Sequence, residues 1–257
     1  MRLRIVAVAL LALTMLIIPS LVHADTFIKT ATHTDAMKMG PQTTPAVDDT
    51  SITWMGDNMA AMIKDEASSM IINGETGMIY NINHKDKSYT EMSMDALGDI
   101  EKMMEGSGAD KTEAAMFGQQ MKAMMAAMKM EAKVTPTEET KDIHGWNCKK
   151  FIVEIKMGMG GMTNNSWVTK DVEIDYTIFS RLMSAPMMQM PGFQELMAEM
   201  EKMGGIPVLV EGSMNMMGTE VKSKQEVLAI ETKDAPEGTY DVPKDYKKEK
   251  FEPKMGM

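Results

Sequence analysis

The chain has 257 residues, a formal net charge of −10, 34 methionines and one cysteine. The acid excess argues against phosphate-rich partners such as nucleic acid or anionic lipid headgroups, which need clustered Lys and Arg. A lone cysteine excludes an intrachain disulfide framework, and a chain of this length can bury a core without one.

The N-terminus has three parts. Arg2 and Arg4 form a short basic start. Ile5 to Ile18 is a 14-residue stretch, apolar except for Thr14, and Pro19 and Ser20 end it. Val22-His23-Ala24 then supplies a cleavage site. This layout predicts a secretory signal over residues 1–24, removed after Ala24. The apolar stretch is shorter than the roughly 20 residues that span a bilayer. No cysteine follows the cleavage site, so the lipid-anchored variant is absent. Cleavage takes the net charge from −10 to −12 and leaves His33, His84 and His144. No later stretch is long and apolar enough to cross a membrane. A periplasmic or extracellular protein is expected, with no nucleic-acid partner.

From Asp25 the chain reads as short antiparallel strands. Residues 26–34 alternate weakly, and 50–56 are rich in β-formers before a Gly56-Asp57-Asn58 turn. Strands follow at 69–72, 78–82 and 88–92, with Asn73-Gly74 as a hairpin signal. Residues 36–48 read as ragged. The period then changes. Residues 94–105 suit a helix. Asp110 to Ala126 is a clearer one, capped by Asp110 with Glu113 three positions on. Phe117, Met121, Met124 and Met125 share its apolar stripe. Met128, Met130, Ala132 and Val134 alternate into a strand before Pro136. Residues 149–157 and 165–169 read as strands around the Gly158/Gly160/Gly161 turn. Helices are expected at 175–183 and 192–203. The second places Phe193, Leu196, Met197 and Met200 on one stripe, and Gly204-Gly205 stops it. Strands at 206–211 and 220–231 close the pattern. Runs of strands alternating with runs of helices predict an α+β fold with an antiparallel sheet covered by amphipathic helices. We expect one domain over 25–245 and a flexible Lys-rich tail over 246–257.

Methionine fills positions that leucine usually takes, since the mature chain has only five leucines. Several readings are open. The stripes form a packed core, because Met for Leu conserves volume. Or they line an adaptable cavity for an apolar ligand such as an acyl chain, with Phe117, Met121, Met124, Met125, Phe193, Leu196, Met197 and Met200 on its wall. Or Met-x-Met spacings hold copper(I), which suits soft thioether ligands, and His33, Met37 and Met39 form the best exposed cluster. Exposed thioethers also buffer oxidants. Catalytic motifs are missing: there is no Gly-x-Ser-x-Gly, His-Glu-x-x-His or phosphate-binding loop. A non-enzymatic protein without a resident cofactor is expected. Cys148 reads as a small buried hydrophobe.

Four segments carry a resemblance. They are Ile82-Asn83-His84-Lys85-Asp86-Lys87-Ser88-Tyr89, Gly145-Trp146-Asn147-Cys148-Lys149-Lys150, Trp167-Val168-Thr169-Lys170-Asp171-Val172 and Asp234-Ala235-Pro236-Glu237-Gly238-Thr239-Tyr240. Together they resemble an uncharacterised, often Met-rich family of exported bacterial domains, over about 26–245. The order of elements is similar to the LolA/LolB lipoprotein-carrier superfamily. That resemblance implies a strongly curved sheet, an unclosed half-barrel, around an apolar cavity. It also implies a lipid or a lipidated protein as partner.

Overall fold

The structure is a computed structural model that describes residues 24–39, 42–64, 67–94, 130–157, 160–172, 174, 192–216 and 219–250. The first half is a meander: β1 (Thr26–Thr34), β2 (Met37–Met39), β3 (Gln42–Thr44), β4 (Val47–Met55), β5 (Met59–Ile63), β6 (Ser68–Asn73), β7 (Met78–Asn83) and β8 (Ser88–Ser93). The second half holds β9 (Glu131–Ile143), β10 (Trp146–Met157), β11 (Gly160–Thr169), α1 (Phe193–Glu201), β12 (Ile206–Met216), β13 (Thr219–Thr232) and β14 (Lys247–Glu249). All but β2 and β3, which pair with each other, form one sheet in the order β14-β8-β7-β6-β5-β4-β1-β13-β12-β11-β10-β9. Every pairing in it is antiparallel except β14 on β8.

The meander is apolar on both faces. Register places Ile28, Met55, Ala60, Ile72 and Ile79 on the first face, where they join one buried cluster. Phe27, Trp54, Ala61, Ile71 and Ile82 fall on the second, in another cluster. Neighbours such as Trp54-Met55, Ala60-Ala61 and Ile71-Ile72 are therefore both buried while pointing opposite ways. Strands with that pattern need cover on each side.

The second face is covered by the chain's own C-terminal segment. After β13 the backbone crosses that face and reaches β8, where β14 pairs in parallel. Ala235, Tyr240, Val242 and Tyr246 of this segment pack on the Trp54 cluster. The crossing is pinned at both ends. Asp25 accepts hydrogen bonds from the Lys233 and Ala235 amides, through its carbonyl (2.9 Å) and its Oδ2 (3.0 Å). At the far end Lys87 pairs with Asp245 at 3.0 Å.

In the second half, Val134, Phe151, Val153 and Val168 form a third cluster with Met203 and Met200. Helix α1 begins at Gly192, whose φ of 87° suits glycine. A Cβ there would lie 1.9 Å from the Met130 carbonyl oxygen, so the close approach also requires glycine. Strand β9 is a long edge. Glu199 of α1 accepts a hydrogen bond from the Val134 amide at 2.9 Å. That bond points away from β10, so the alternation of an antiparallel pair also turns position 136 outward. Pro136 sits there, where the ladder needs no donor.

Several expectations change. The sheet is mostly β with a single short helix among the described residues, rather than a balanced α+β arrangement. It is open, neither closed nor strongly curled, so the half-barrel expectation is corrected. The physical reason is the burial of both faces. A cavity-forming half-barrel keeps one face for solvent, whereas this meander needs protein on each. The helices expected at 94–105, 110–126 and 175–183 lie almost wholly outside the described residues. Residues 37–39 and 42–44 form a hairpin within the stretch read as ragged. Strand β5 was not anticipated, and β9 continues through Pro136 because it is an edge. Lys247–Glu249 at the start of the tail pair with β8.

Candidate functional site

The meander's first face is the main apolar surface. Its cluster continues past β1 into Val227, Val208, Leu209, Ile206, Cys148 and Ile143. Met94, which follows β8, packs against it, as do Val172 and Ile174, which follow β11. Met130, which leads into β9, is buried. Two Met-bearing stretches, 95–129 and 175–191, therefore meet the described structure close to apolar residues of the sheet.

Of the expected wall residues, Phe117, Met121, Met124 and Met125 lie outside the described residues. Phe193 is buried, and Leu196, Met197 and Met200 are half-buried on α1. Met200 packs with Val134, Phe151 and Val153 against the sheet. Of that stripe, Met200 joins the third cluster.

Beyond the Trp54 cluster the second face carries a polar patch. Register aligns Asp48, His33, Lys224 and Glu211 in one rung across β4, β1, β13 and β12. Open grooves of about 620 Å³ and 470 Å³ meet at His33 and Lys224. His33 Nδ1 lies 2.7 Å from Asp48 Oδ1, and Nε2 lies 3.0 Å from Asp35 Oδ1. The Asp48 and Asp35 hydrogen bonds raise the imidazole above its ordinary value. Lys224 pairs with Glu226 at 2.8 Å, and His144 reaches the same carboxylate at 3.0 Å. Lys64 pairs with Asp49 at 3.0 Å. His33, Lys64 and Lys224 are each paired with a carboxylate, which makes a polar surface rather than a poised acid–base pair.

The copper(I) cluster meets an obstacle here. Both His33 nitrogens are already engaged by carboxylates, so neither offers a free lone pair in this arrangement. Met37 lies on β2 in the hairpin, half-buried, and the Met39 side chain lies outside the described residues.

Two further groups were not singled out by the sequence. Ser69 Oγ, His84 and Tyr246 form a chain, with Nε2 2.9 Å from Ser69 and Nδ1 2.9 Å from the Tyr246 hydroxyl. Because Tyr246 belongs to the crossing segment, this network ties that segment to the sheet. Trp167 lies under two ammonium groups, Lys141 at 5.6 Å and Lys150 at 5.8 Å from its ring centre. Neither is visible as a spacing, because register and a distant segment bring the partners together. Cys148 behaves as expected of a packed thiol. It is fully buried, and burial, with Asp171 and Asp142 nearby, pushes it up.

No curated protein matches the chain. Residues 112–246 match a domain of unknown function, DUF4412. That span includes β9–β13, α1 and the crossing segment to Tyr246, and leaves the meander outside. The match covers more than half of the 257 residues, and the chain belongs to the DUF4412 family.

Proposed function

We propose that this is an exported, non-enzymatic binding protein that holds an apolar ligand or a lipidated partner. Residues 1–24 direct it to the periplasm or the extracellular space and are then removed. The observation that carries the ligand reading is the apolar first face. Met94, Val172 and Ile174 pack at its cluster, next to two Met-bearing stretches. Those stretches include Phe117, Met121, Met124 and Met125. An open sheet cannot enclose a ligand by itself. Flexible thioethers, which those stretches supply in number, adapt to the shape of an acyl chain.

The test is titration of the mature protein with a dansyl-labelled fatty acid. Saturable binding is expected, displaced by unlabelled fatty acid. A Met121→Glu, Met124→Glu double variant places charge in the apolar site and is expected to weaken binding by about tenfold or more. Circular dichroism checks that the sheet is retained. Absence of saturable binding, or unchanged affinity in the folded variant, overturns the proposal.

A further inference from the structure

Four methionine positions meet at one end of the sheet, on three adjacent strands. Register sets Met162 of β11 directly opposite Met214 of β12, between Ile155 and Val221. The next rung out holds Met157, Gly160, Met216 and Thr219. Residues two apart on a strand share a face, so positions 157, 162, 214 and 216 all fall on the first face. Opposed Cβ atoms stand about 5 Å apart, and successive rungs of one face about 7 Å. Gly160 puts no side chain between positions 157 and 216. Neither rung carries a charged residue or a histidine.

Met162 and Met214 are half-buried, so their thioethers are neither sealed in the core nor loose in solvent. The Met162 sulfur is also held in place. Asn164 Nδ2 donates a hydrogen bond to it at 3.0 Å. The amide fits there because its cross-strand partner is Gly212, where a Cβ would stand 1.9 Å from Asn164 Oδ1. A sulfur aimed at a donor presents its lone pairs, not its methyl group, to that neighbour. One lone pair takes the amide hydrogen, and the other is left for a metal.

We propose that these thioethers form a copper(I) site, with Met162 and Met214 as its inner pair and Met157 and Met216 closing it. Soft, uncharged sulfur suits Cu(I). Zinc, calcium or magnesium would find no thiolate, imidazole or carboxylate at these positions. Three rotatable bonds let each methionine swing its sulfur onto a shared ion. The site differs from the His33, Met37 and Met39 set, whose imidazole is engaged by Asp48 and Asp35. The proposal goes beyond the apolar-ligand reading and does not depend on it.

The mature protein is titrated anaerobically with Cu(I) against a chromophoric Cu(I) chelator. About one equivalent is expected to move to the protein, with a sulfur-only first shell in X-ray absorption. Met162→Leu with Met214→Leu keeps side-chain volume and removes both inner sulfurs. Affinity is expected to fall about hundredfold, whereas Met37→Leu with Met39→Leu is expected to leave it unchanged. Methyl-labelled methionine NMR reads the same site without any substitution. Added Ag(I), a soft ion that does not change oxidation state, is expected to shift a few methyl signals and spare the rest. Failure to withdraw Cu(I) from the chelator overturns the proposal. So does wild-type affinity in the folded inner-pair variant, or a loss that follows Met37 and Met39 instead. Nitrogen or oxygen in the first shell, or shifts spread over most methionines, overturns it equally. Fatty-acid binding is read separately, so failure of one reading leaves the other standing.

Discussion

Ile71 and Ile72 are consecutive residues on a central strand, 2% and 4% exposed, and they point to opposite faces. Replacing either with alanine removes three buried carbons. At about 0.8 kcal/mol per carbon the transfer loss is about 2.4 kcal/mol. The residual cavity brings each cost to about 3–4 kcal/mol, within the range seen for such truncations. The two variants should therefore destabilise by similar amounts, although one faces the crossing segment and the other the first-face cluster. Equilibrium urea unfolding of the mature protein gives both values, and an unchanged slope shows that the change lies in the native state. A cost below about 0.5 kcal/mol for either variant, the range of ordinary surface positions, would refute burial on both faces.

Three further outcomes follow from named contacts. Glu199→Ala leaves the Val134 amide without its acceptor and should lower stability, whereas Glu199→Gln keeps an acceptor and should recover part of the loss in the same urea assay; equal stability of all three would contradict it. His33 is held above its ordinary value by Asp48 and Asp35, so its contribution is complete below about pH 6.5 and fades as pH rises through the raised folded value. Thermal melts from pH 5 to 9 should show that loss in the native protein and not in His33→Gln; parallel profiles would contradict it. Cys148 should resist iodoacetamide in the native state and react once urea unfolds the chain, and rapid native labelling would contradict its burial.

Much of the sheet was legible from alternation and turn residues. Strands β1, β4, β6, β7 and β8 lie where β-branched and aromatic residues alternate between turns, and α1 lies where Phe193, Leu196 and Met200 recur at helical spacing. Strand β5 was hidden because Met59-Ala60-Ala61-Met62 has no polar alternation, and it is buried on both sides. Adjacent apolar residues at 54–55 and 71–72 are the sign in the sequence of two covered faces. From the sequence, the strand that 128–134 lead into is expected before Pro136, yet β9 runs through it. It is tolerated because Val134 and its Glu199 bond show that side of β9 to be an edge. The crossing segment was not legible, since Tyr240, Val242 and Tyr246 are spaced by loop geometry rather than by a period. The same holds for the site. The Met stripes could be read from spacing, while the His33 rung depends on register across four strands.

The central claim is that the protein holds an apolar ligand. Native mass spectrometry of the protein, purified without detergent from its own cell envelope, tests it most directly. The account predicts a population carrying an extra lipid-sized mass that organic extraction removes. A single species at the mass of the bare mature chain, unable to take up added fatty acid, would contradict it.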